Sequence, residues 1–408
     1  MRLLVILALA CAVSAAQTTP LNALIAEAEA HNPTVATAAA AARAAGDAVS
    51  PAGTLPDPQV SVQQMTVGSP APFAGFTTSN FAYIGVGASQ TLPYPGKLKL
   101  RAAVAAGQAR TAQARVAEAR SEISGQVAAA YIQLQYLARQ RQVLAGQQAI
   151  LRAIEAQAES RYAAGTGGQD AVFAAQLEQT KLLGELSTLS ANEATAQAGL
   201  RALLDRSPQA PGVTPEPLRL TAPPATLSLA NAPAAAVTAA QVQSAGQGVA
   251  LARMNFAPDF QLQYMYQRTG PGFPDYYQWT VGINVPLHRK SRLEPELEGA
   301  AQLHLEAQDA QRAQQRQDQA VLAGLQARLA NDARLLQLDQ GALLPQVRAT
   351  AAARLAAYGA NAASGGTLAD VLDSERDALA IEQQYWQTLA DHELALAQLG
   401  QLTGAGYE

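Results

Sequence analysis

The segment from Lys97 to about Ala164 contains no proline and has the periodicity of one very long α-helix. Between residues 127 and 151, apolar positions recur at three- and four-residue spacing, which is typical of a coiled-coil seam, although Arg141 and Gln148 interrupt that seam. At a rise of about 1.5 Å per residue, the 69 residues from 97 to 165 would extend roughly 100 Å. A helix of this length cannot pack inside one compact domain, so an ordinary globular fold is excluded.

The sequence also contains two related halves, offset by about 200 residues. Segment 56–62 aligns with 258–264, and segment 86–92 aligns with 281–287. Each match is short, but the matches keep one order and a nearly constant offset. This pattern indicates an internal duplication.

Each half is predicted to contain a helix, two strands, a very long helix, a turn and a final helix. The shorter helices of each half, placed end to end, would match the long helix in length, so they could run alongside it. A proline-rich linker at 207–226 separates the two repeats. The predicted first repeat, 17–206, has strands 59–67 and 81–92 and helices 20–50, 97–165 and 169–205; the second, 227–408, has strands 259–268 and 276–287 and helices 227–256, 293–358 and 367–402.

The aromatic residues are concentrated around the predicted strands, since 13 of the 21 lie in these strands and their loops. Strands of about ten residues that alternate in character and carry aromatic side chains are typical of a transmembrane β-barrel. The alternative is that these side chains fill the core of a small soluble sheet. Four strands are too few to close a barrel, and an open edge cannot lie in lipid. Several copies of the chain are therefore required, and three copies supply twelve strands.

The first sixteen residues, 1–16, are predicted to be a secretory signal peptide, with Arg2, an apolar run and a small-residue cleavage region. A second interpretation is a lipoprotein signal in which Cys11 would be acylated. No later apolar run approaches the ~20 residues of a membrane-spanning helix. The chain is expected to be exported and to be periplasmic, secreted or inserted as a β-barrel.

Composition excludes several classes of function. A formal net charge of -4 argues against nucleic acid as a partner. The single cysteine excludes internal disulfides and cysteine-based metal centres, and the four histidines are too widely spaced for a metal motif. No nucleophile elbow, phosphate loop or other catalytic motif occurs, so we expect neither an enzyme nor a cofactor.

These features resemble the TolC family of outer-membrane efflux and secretion channels over nearly the whole chain. The resemblance rests on the paired halves and on segments 55–58, 89–97 and 370–373, together with Pro345 inside a helical segment. It implies a mainly α fold with a membrane β-barrel part: a homotrimer with a twelve-stranded barrel in outer-membrane lipid and an α-helical periplasmic tunnel. It also implies a passive export duct in a tripartite efflux or type I secretion system, with a periplasmic adaptor protein and an inner-membrane transporter as partners. The Pro95-Gly96-Lys97 element resembles the branch that works with heavy-metal exporters, so metal ions or drugs are the expected cargo.

An alternative function is a non-channel periplasmic coiled-coil adaptor or scaffold whose strands form a soluble β-domain. Such an adaptor usually has one helical hairpin between β-rich halves. This sequence instead alternates two helical hairpins with two strand pairs, which favours the channel.

The resemblance assigns Asp370 and Asp373 to the narrow periplasmic end of the tunnel, where three copies would form acidic rings. Residues three apart share one face of a helix, and six carboxylates near one axis would attract cations. The alternative is helix capping, because Thr367 and Asp370 have the spacing of a capping box.

The same resemblance assigns Tyr162 and Tyr358 to helix contacts at the tunnel tip, with a buried packing role as the alternative. The turns at 163–169 and 359–367 are expected to dock to the adaptor. Their candidate docking residues are Gly165, Thr166, Gly366 and Thr367. No arginine is expected there to form an ion pair that closes the gate.

Positive charges follow the second and fourth predicted strands, at the starts of the two long helices. Cations there oppose the helix dipole, so another interaction should favour them. Lipid phosphates at the membrane interface would do so, and plain solvation is the alternative. The cluster comprises Lys97, Lys99, Arg101, Arg289, Lys290 and Arg292.

Overall fold

The computed structural model describes residues 18–224, 227–360 and 367–405. The predicted signal peptide with Cys11, and Gly366 of the second turn, lie outside these residues. No helix in the described part of the chain is long and apolar enough to cross a membrane.

Within these described residues the chain is mainly helical with four β-strands, which confirms the predicted fold class. The first group of elements is α1 Leu21–His31, α2 Pro33–Asp47, α3 Val49–Ala52, β1 Gln59–Met65, β2 Tyr83–Leu92, α4 Lys97–Ala163 and α5 Gln169–Leu203. The second group is α6 Pro233–Met254, β3 Asp259–Thr269, β4 Tyr276–Asn284, α7 Glu294–Leu338, α8 Leu344–Gly359 and α9 Leu368–Thr403. Two π-helical turns, Arg289–Leu293 and Asp339–Leu343, precede α7 and α8.

The first predicted helix is interrupted at Asn32, where the backbone turns to an extended conformation with ψ of 127°. Proline disfavours helical geometry in the preceding residue, and Pro33 follows Asn32. The side-chain oxygen of Asn32 accepts a 2.8 Å hydrogen bond from the Thr34 N–H, and its amide donates to the Leu203 carbonyl at 2.9 Å. The break therefore fixes the start of α2 against the end of α5.

The second long helix is also not continuous, because the π-helical turn Asp339–Leu343 separates α7 from α8. Pro345 lies in the first turn of α8. A proline inside a helix removes one backbone hydrogen bond and clashes with the carbonyl four residues earlier. The wider π-helical turn accommodates this conflict, and the predicted helix 293–358 is divided there.

Proline also sets two other boundaries that differ from the predicted ones. β4 ends at Asn284 rather than at 287, and Pro286, which cannot donate a ladder hydrogen bond, follows closely. α6 begins at Pro233 rather than at 227, and proline suits the first position of a helix.

The described residues divide into two compact units. The helical unit lies within Met1–Ala36, Ala119–Ala232 and Asp318–Glu408, and the sheet unit lies within Thr37–Glu118 and Pro233–Gln317.

A coiled-coil seam forms much of the core of the helical unit. Leucines of α4 and apolar residues of α5 recur every seven residues and are buried in one cluster. On α4 they are Leu137, Leu144 and Leu151, and on α5 they are Ala175, Leu182 and Leu189. The cluster also contains Tyr358, Leu368, Val371 and Leu372. Arg141, which interrupts the sequence pattern, leaves the seam to form an ion pair with Glu193 of α5. The polar interruption thus becomes a contact between the same two helices.

The sheet unit contains one four-stranded antiparallel sheet in the order β1-β2-β3-β4. β1 pairs with β2 and β3 pairs with β4, as sequential strands often do. The central pairing, β2 with β3, joins the two halves of the sequence.

Glu27 of α1 and Arg206, just after α5, form a two-point ion pair within the helical unit. The Nε and one Nη atom of Arg206 donate to the two carboxylate oxygens of Glu27, each at 2.6 Å. The hydrogen bonds from Arg206 hold the pKa of Glu27 below its usual value. The pair therefore stabilises the folded chain at neutral pH and loses this contribution as pH falls through the lowered pKa.

Replacing Glu27 with Gln should lower the free energy of unfolding by about 1 kcal/mol at pH 7, the upper end for partly exposed pairs. The difference from the unmodified chain should shrink below about pH 4, where the carboxylate is protonated in the unfolded state. Denaturant unfolding followed by circular dichroism measures both values. Glu29→Gln on the same helix is the control, and an equal, pH-independent effect of both variants would contradict the assigned role.

Candidate functional site

The sheet carries an apolar face that the described chain leaves uncovered. Strand registry places directly paired residues on the same side of a sheet. Val60, Val62, Trp279 and Val281 on this face are 68–75% exposed. Its rows, in the order of the strands, are Val62, Val86, Tyr266 and Tyr277; Val60, Ala88, Tyr264 and Trp279; Gln90, Leu262 and Val281; and Leu92, Phe260 and Ile283.

The opposite face of the same sheet carries mainly polar or small residues. One of its rows contains Ser61, Gly87, Met265 and Gln278, and the next contains Ser89, Gln263 and Thr280. A Cβ atom at Gly87 would lie 3.0 Å from the Tyr264 carbonyl oxygen, so a larger residue there would strain the β2–β3 contact. The sheet therefore separates an apolar surface from a polar one.

Both outer edges of the sheet are unpaired within the described residues, because β1 pairs only with β2 and β4 only with β3. An unpaired edge exposes a row of backbone N–H and C=O groups that need hydrogen-bond partners. Together, the open edges and the exposed apolar face identify the sheet as an incomplete surface.

A buried ion pair joins the start of α4 to the start of β3. The Lys97 ammonium lies 2.7 Å from the Oδ1 atom of Asp259 and 3.4 Å from the Ala257 carbonyl oxygen. The same Oδ1 accepts a hydrogen bond from the Tyr94 N–H at 2.9 Å. Gly96, with φ of +95°, allows the tight turn between Tyr94 and Lys97.

This pair corrects part of the predicted lipid-binding cluster. Lys97 is only 3% exposed, so it acts within the protein and does not belong to a surface that meets lipid phosphates. The reason is that Asp259, 162 positions further along the chain, lies beside it. The other five cations of the cluster, Lys99, Arg101, Arg289, Lys290 and Arg292, are exposed.

Asp370 forms the capping box that the sequence offered as an alternative. Its N–H donates to the Thr367 hydroxyl oxygen at 3.3 Å, and its carboxylate accepts from the Thr367 N–H at 2.8 Å. Hydrogen bonds from the Thr367 hydroxyl and N–H lower the pKa of Asp370. The carboxylate is thus ionised at neutral pH and holds the start of α9 in place.

Asp373 takes part in a charged group that ties α9 to α5. Arg376 lies 2.6 Å from Asp373 and 2.7 Å from Glu178. The hydrogen bond from Arg376 lowers the pKa of Glu178. Arg376 therefore offsets part of the negative charge that Asp373 brings to the first turns of α9.

The two predicted tip tyrosines have different environments. Tyr358 is 5% exposed, with the Arg161 guanidinium 4.3 Å above its ring and a 2.5 Å hydrogen bond from Arg161 to its carbonyl oxygen. Tyr162 is 50% exposed. The adjacent turn is closed by Gly165, with φ of +69°, and by a 2.9 Å hydrogen bond from the Thr166 N–H to the Arg161 carbonyl.

Three arginines act near these turns, although the loop after Tyr358 contains none. Arg161 contacts Tyr358, Arg376 contacts Asp373, and Arg354 donates to the Asp370 carbonyl at 3.0 Å. All three lie on helices that flank the turns, so the sequence of the loop alone does not reveal them. No cluster of candidate metal ligands occurs in the described residues.

Replacing Lys97 with Met should lower the free energy of unfolding by about 2 kcal/mol, since Asp259 would lose its cation. The side chain of Asp259 is 27% exposed, so the loss of stability is smaller than for a fully buried ion pair. Thermal unfolding in detergent, followed by circular dichroism, provides the measurement. Lys99→Met removes an exposed charge two residues away and should change the stability by less than about 0.5 kcal/mol. Equal melting of the two variants would remove the structural role assigned to Lys97.

Comparison with known proteins identifies the architecture. Residues 24–206 match a family described as outer membrane efflux protein. The outer membrane protein VceC of Vibrio cholerae shares 22% identity, with a TM-score of 0.78 over 95% of this chain and 97% of that one. The CmeC outer membrane channel of Campylobacter jejuni shares 13% identity, with a TM-score of 0.79 over 95% and 86% of the two chains. The MtrE outer membrane channel of Neisseria gonorrhoeae shares 18% identity, with a TM-score of 0.73 over 95% and 89%.

A comparison with curated protein sequences finds no match. Residues 24–206 thus match the outer membrane efflux protein family, and the chain as a whole has the fold of outer-membrane efflux channels, which confirms the resemblance predicted from the sequence.

Proposed function

We propose that three copies of this chain form an outer-membrane channel that acts as a passive export duct. The observation that carries this proposal is the two-faced sheet with two unpaired edges. Lipid cannot hydrogen-bond to an open edge, so β1 of one copy must pair with β4 of the next. Three copies close the ring with twelve strands, which directs the apolar faces to lipid and the polar faces to the lumen.

The apolar face spans more than half of the apolar band of an outer-membrane barrel. On β3 it extends from Phe260 to Tyr266, about 20 Å along the strand, or about 15 Å of height at the ~35–45° tilt of barrel strands, against a band of ~25 Å. Tyr266 and Tyr277 lie at the end of the band away from the helices, with ring centroids 5.4 Å apart. Aromatic pairs in that position suit the interface between hydrocarbon and headgroups.

The helices would continue the duct into the periplasm. α4 alone has 67 residues, or about 100 Å of helical rise, and it packs against α5 through the seven-residue seam. In this arrangement the turn at 163–169, which contains Gly165 and Thr166, meets a periplasmic adaptor, as does Thr367 before the start of α9. An inner-membrane pump would select the cargo, and both metal ions and drugs are compatible with a wide duct.

Two further assignments belong to this proposal. The exposed cations Lys99, Arg101, Arg289, Lys290 and Arg292 would meet lipid phosphates where the strands give way to helices. The acids Asp370 and Asp373 would form rings at the narrow end, where Arg376 offsets part of their charge. The alternative function, a periplasmic adaptor or scaffold, leaves the apolar face and both sheet edges without partners.

Extraction from outer membranes should give particles with about three times the monomer mass. The expected result follows from the four strands of each copy, since a single copy leaves both edges of its sheet open and three copies supply the twelve strands of the proposed barrel. Light scattering with subtraction of the detergent mass measures the protein component. Recovery of a stable monomer from the periplasmic fraction without detergent would exclude the channel.

Replacing both Asp370 and Asp373 with Asn should reduce cation selectivity and weaken block by multivalent cations in planar bilayers. The six carboxylates would otherwise concentrate cations at the narrowest point. Thr367→Val is the matched control, because it breaks the capping box and retains both acids.

The control variant should lower stability by about 1 kcal/mol, as for a lost helix cap, and leave selectivity intact. If the double Asn variant also loses stability while its selectivity stays unchanged, the two acids serve only the start of α9. The acidic-ring assignment would then be abandoned.

A further inference from the structure

A cavity of about 430 Å³ lies between α4, α8 and α9 in the helical unit and opens to the surface. This size is in the range of sites that hold drug-sized molecules. Its walls are mainly apolar and include Val143, Ile150, Ala351, Leu355 and Leu379. Apolar walls favour a ligand with a substantial hydrocarbon surface.

One end of the cavity holds two arginines that already have anionic partners. Glu382 of α9 lies 3.0 Å from Arg348 of α8 and 3.9 Å from Arg139 of α4. The Arg139 guanidinium also lies 4.1 Å above the Trp386 ring. Both arginines therefore have partners within the protein, with one carboxylate shared between them.

The other end holds a buried acid with no cationic partner. Glu375 is seven residues before Glu382 on α9, about 10 Å along the helix, and is 6% exposed. The Gln147 side chain of α4 donates a hydrogen bond to it, and burial raises its pKa. Among the described residues, no lysine, arginine or histidine forms an ion pair with Glu375.

The cations on the far side of α9 are also engaged elsewhere. Lys181 and Arg376 line a neighbouring cavity that Glu375 shares, and both lie 2.7 Å from Glu178. A buried carboxylate is costly without a cation or a full set of hydrogen bonds. Glu375 is thus the one acid lining the 430 Å³ cavity for which the described residues provide no counter-ion, since Glu382 has two.

We propose that this cavity binds a lipophilic monocation, such as an aryl-substituted ammonium or phosphonium ion, with Glu375 as its counter-ion. The apolar walls cover the hydrocarbon groups, and Glu375 compensates the single positive charge. A lipophilic anion would be repelled by Glu375. A long dication would place its second charge near Arg139 and Arg348. The proposal does not depend on the proposed function.

The test measures binding of tetraphenylphosphonium to the full-length protein in detergent by equilibrium dialysis. Tetraphenylborate, which has nearly the same shape and the opposite charge, is the matched probe. The unmodified protein should bind the phosphonium ion at least tenfold more tightly than the borate. Glu375→Gln should lower phosphonium affinity at least tenfold and remove most of this preference.

A second variant fills the cavity without touching the acid. Gly146 lines the cavity, and a Cβ atom added there would meet no atom within 4 Å. Leucine also has a higher helix propensity than glycine, so Gly146→Leu should fold and should abolish phosphonium binding.

Two controls separate this site from general effects. Asp377→Asn removes an exposed negative charge from the same helix, and Gly184→Leu adds the same side chain on α5, where a Cβ also meets no atom within 4 Å. Both controls should retain phosphonium affinity within about twofold. Partition of the probes into detergent is common to all variants and cancels in the comparison.

Equal affinity for the two probes, unchanged binding in Glu375→Gln, or unchanged binding in Gly146→Leu would each overturn the proposal. Circular dichroism verifies that each variant retains its helical structure, so that binding is compared only between folded proteins. Binding is measured without a membrane or a pump. A failed export assay would therefore not contradict the binding proposal, and a failed binding experiment would not contradict the proposed channel.

Discussion

Hydrogen bonding along the two free edges of the sheet is the constraint on which the rest of the structure depends. In water an open edge can bond to solvent, but beside an apolar face in lipid it has no such partner. The polar opposite face, with Ser61, Gly87 and Gln278, suits contact with water. Only closure into a ring satisfies the edges and keeps both faces in the environments that suit them.

Closure of a ring also requires that each strand pair be held at a fixed position on its helices. The Lys97–Asp259 pair serves this purpose, because it links the first residue of α4 to the first residue of β3. The Tyr94 N–H shares the same carboxylate oxygen, which fixes the turn before the helix. Lys97 is withdrawn from solvent, and the pair connects the two sequence halves at the side of the sheet from which the helices start.

Features that depend on neighbouring residues could be predicted from the sequence. The absence of proline after Lys97 predicts α4, and the spacing of Thr367 and Asp370 predicts the capping box as one of two alternatives. The Asn32-Pro33 step also carried a local signal for the break between α1 and α2, although one continuous helix was predicted there. Pro345 was noted in the sequence, but the position and form of its π-helical turn were not foreseen.

Features that depend on distant residues could not be predicted in the same way. The burial of Lys97 depends on Asp259, 162 positions away, and the contact of Arg161 with Tyr358 spans 197 positions. The cavity beside Glu375 is formed by three helices, so the local pattern of α9 shows only an acid on a helix. Such contacts become visible only when the packing of the helices is known.

The pairing of β2 with β3 has a consequence for the surface that meets lipid. In a closed trimer, the strand pair from the first half alternates around the circumference with the pair from the second half. On two rows of the apolar face, the first pair presents the aliphatic residues Val60, Val62 and Val86, whereas the second presents the rings of Tyr264, Tyr277 and Trp279. On the rows nearer the helices the second pair is also partly aliphatic, with Leu262, Val281 and Ile283. At the level of the first two rows, the perimeter of the proposed ring would have six sectors that alternate between aliphatic and aromatic character, so neighbouring lipid molecules would meet different surfaces every two strands.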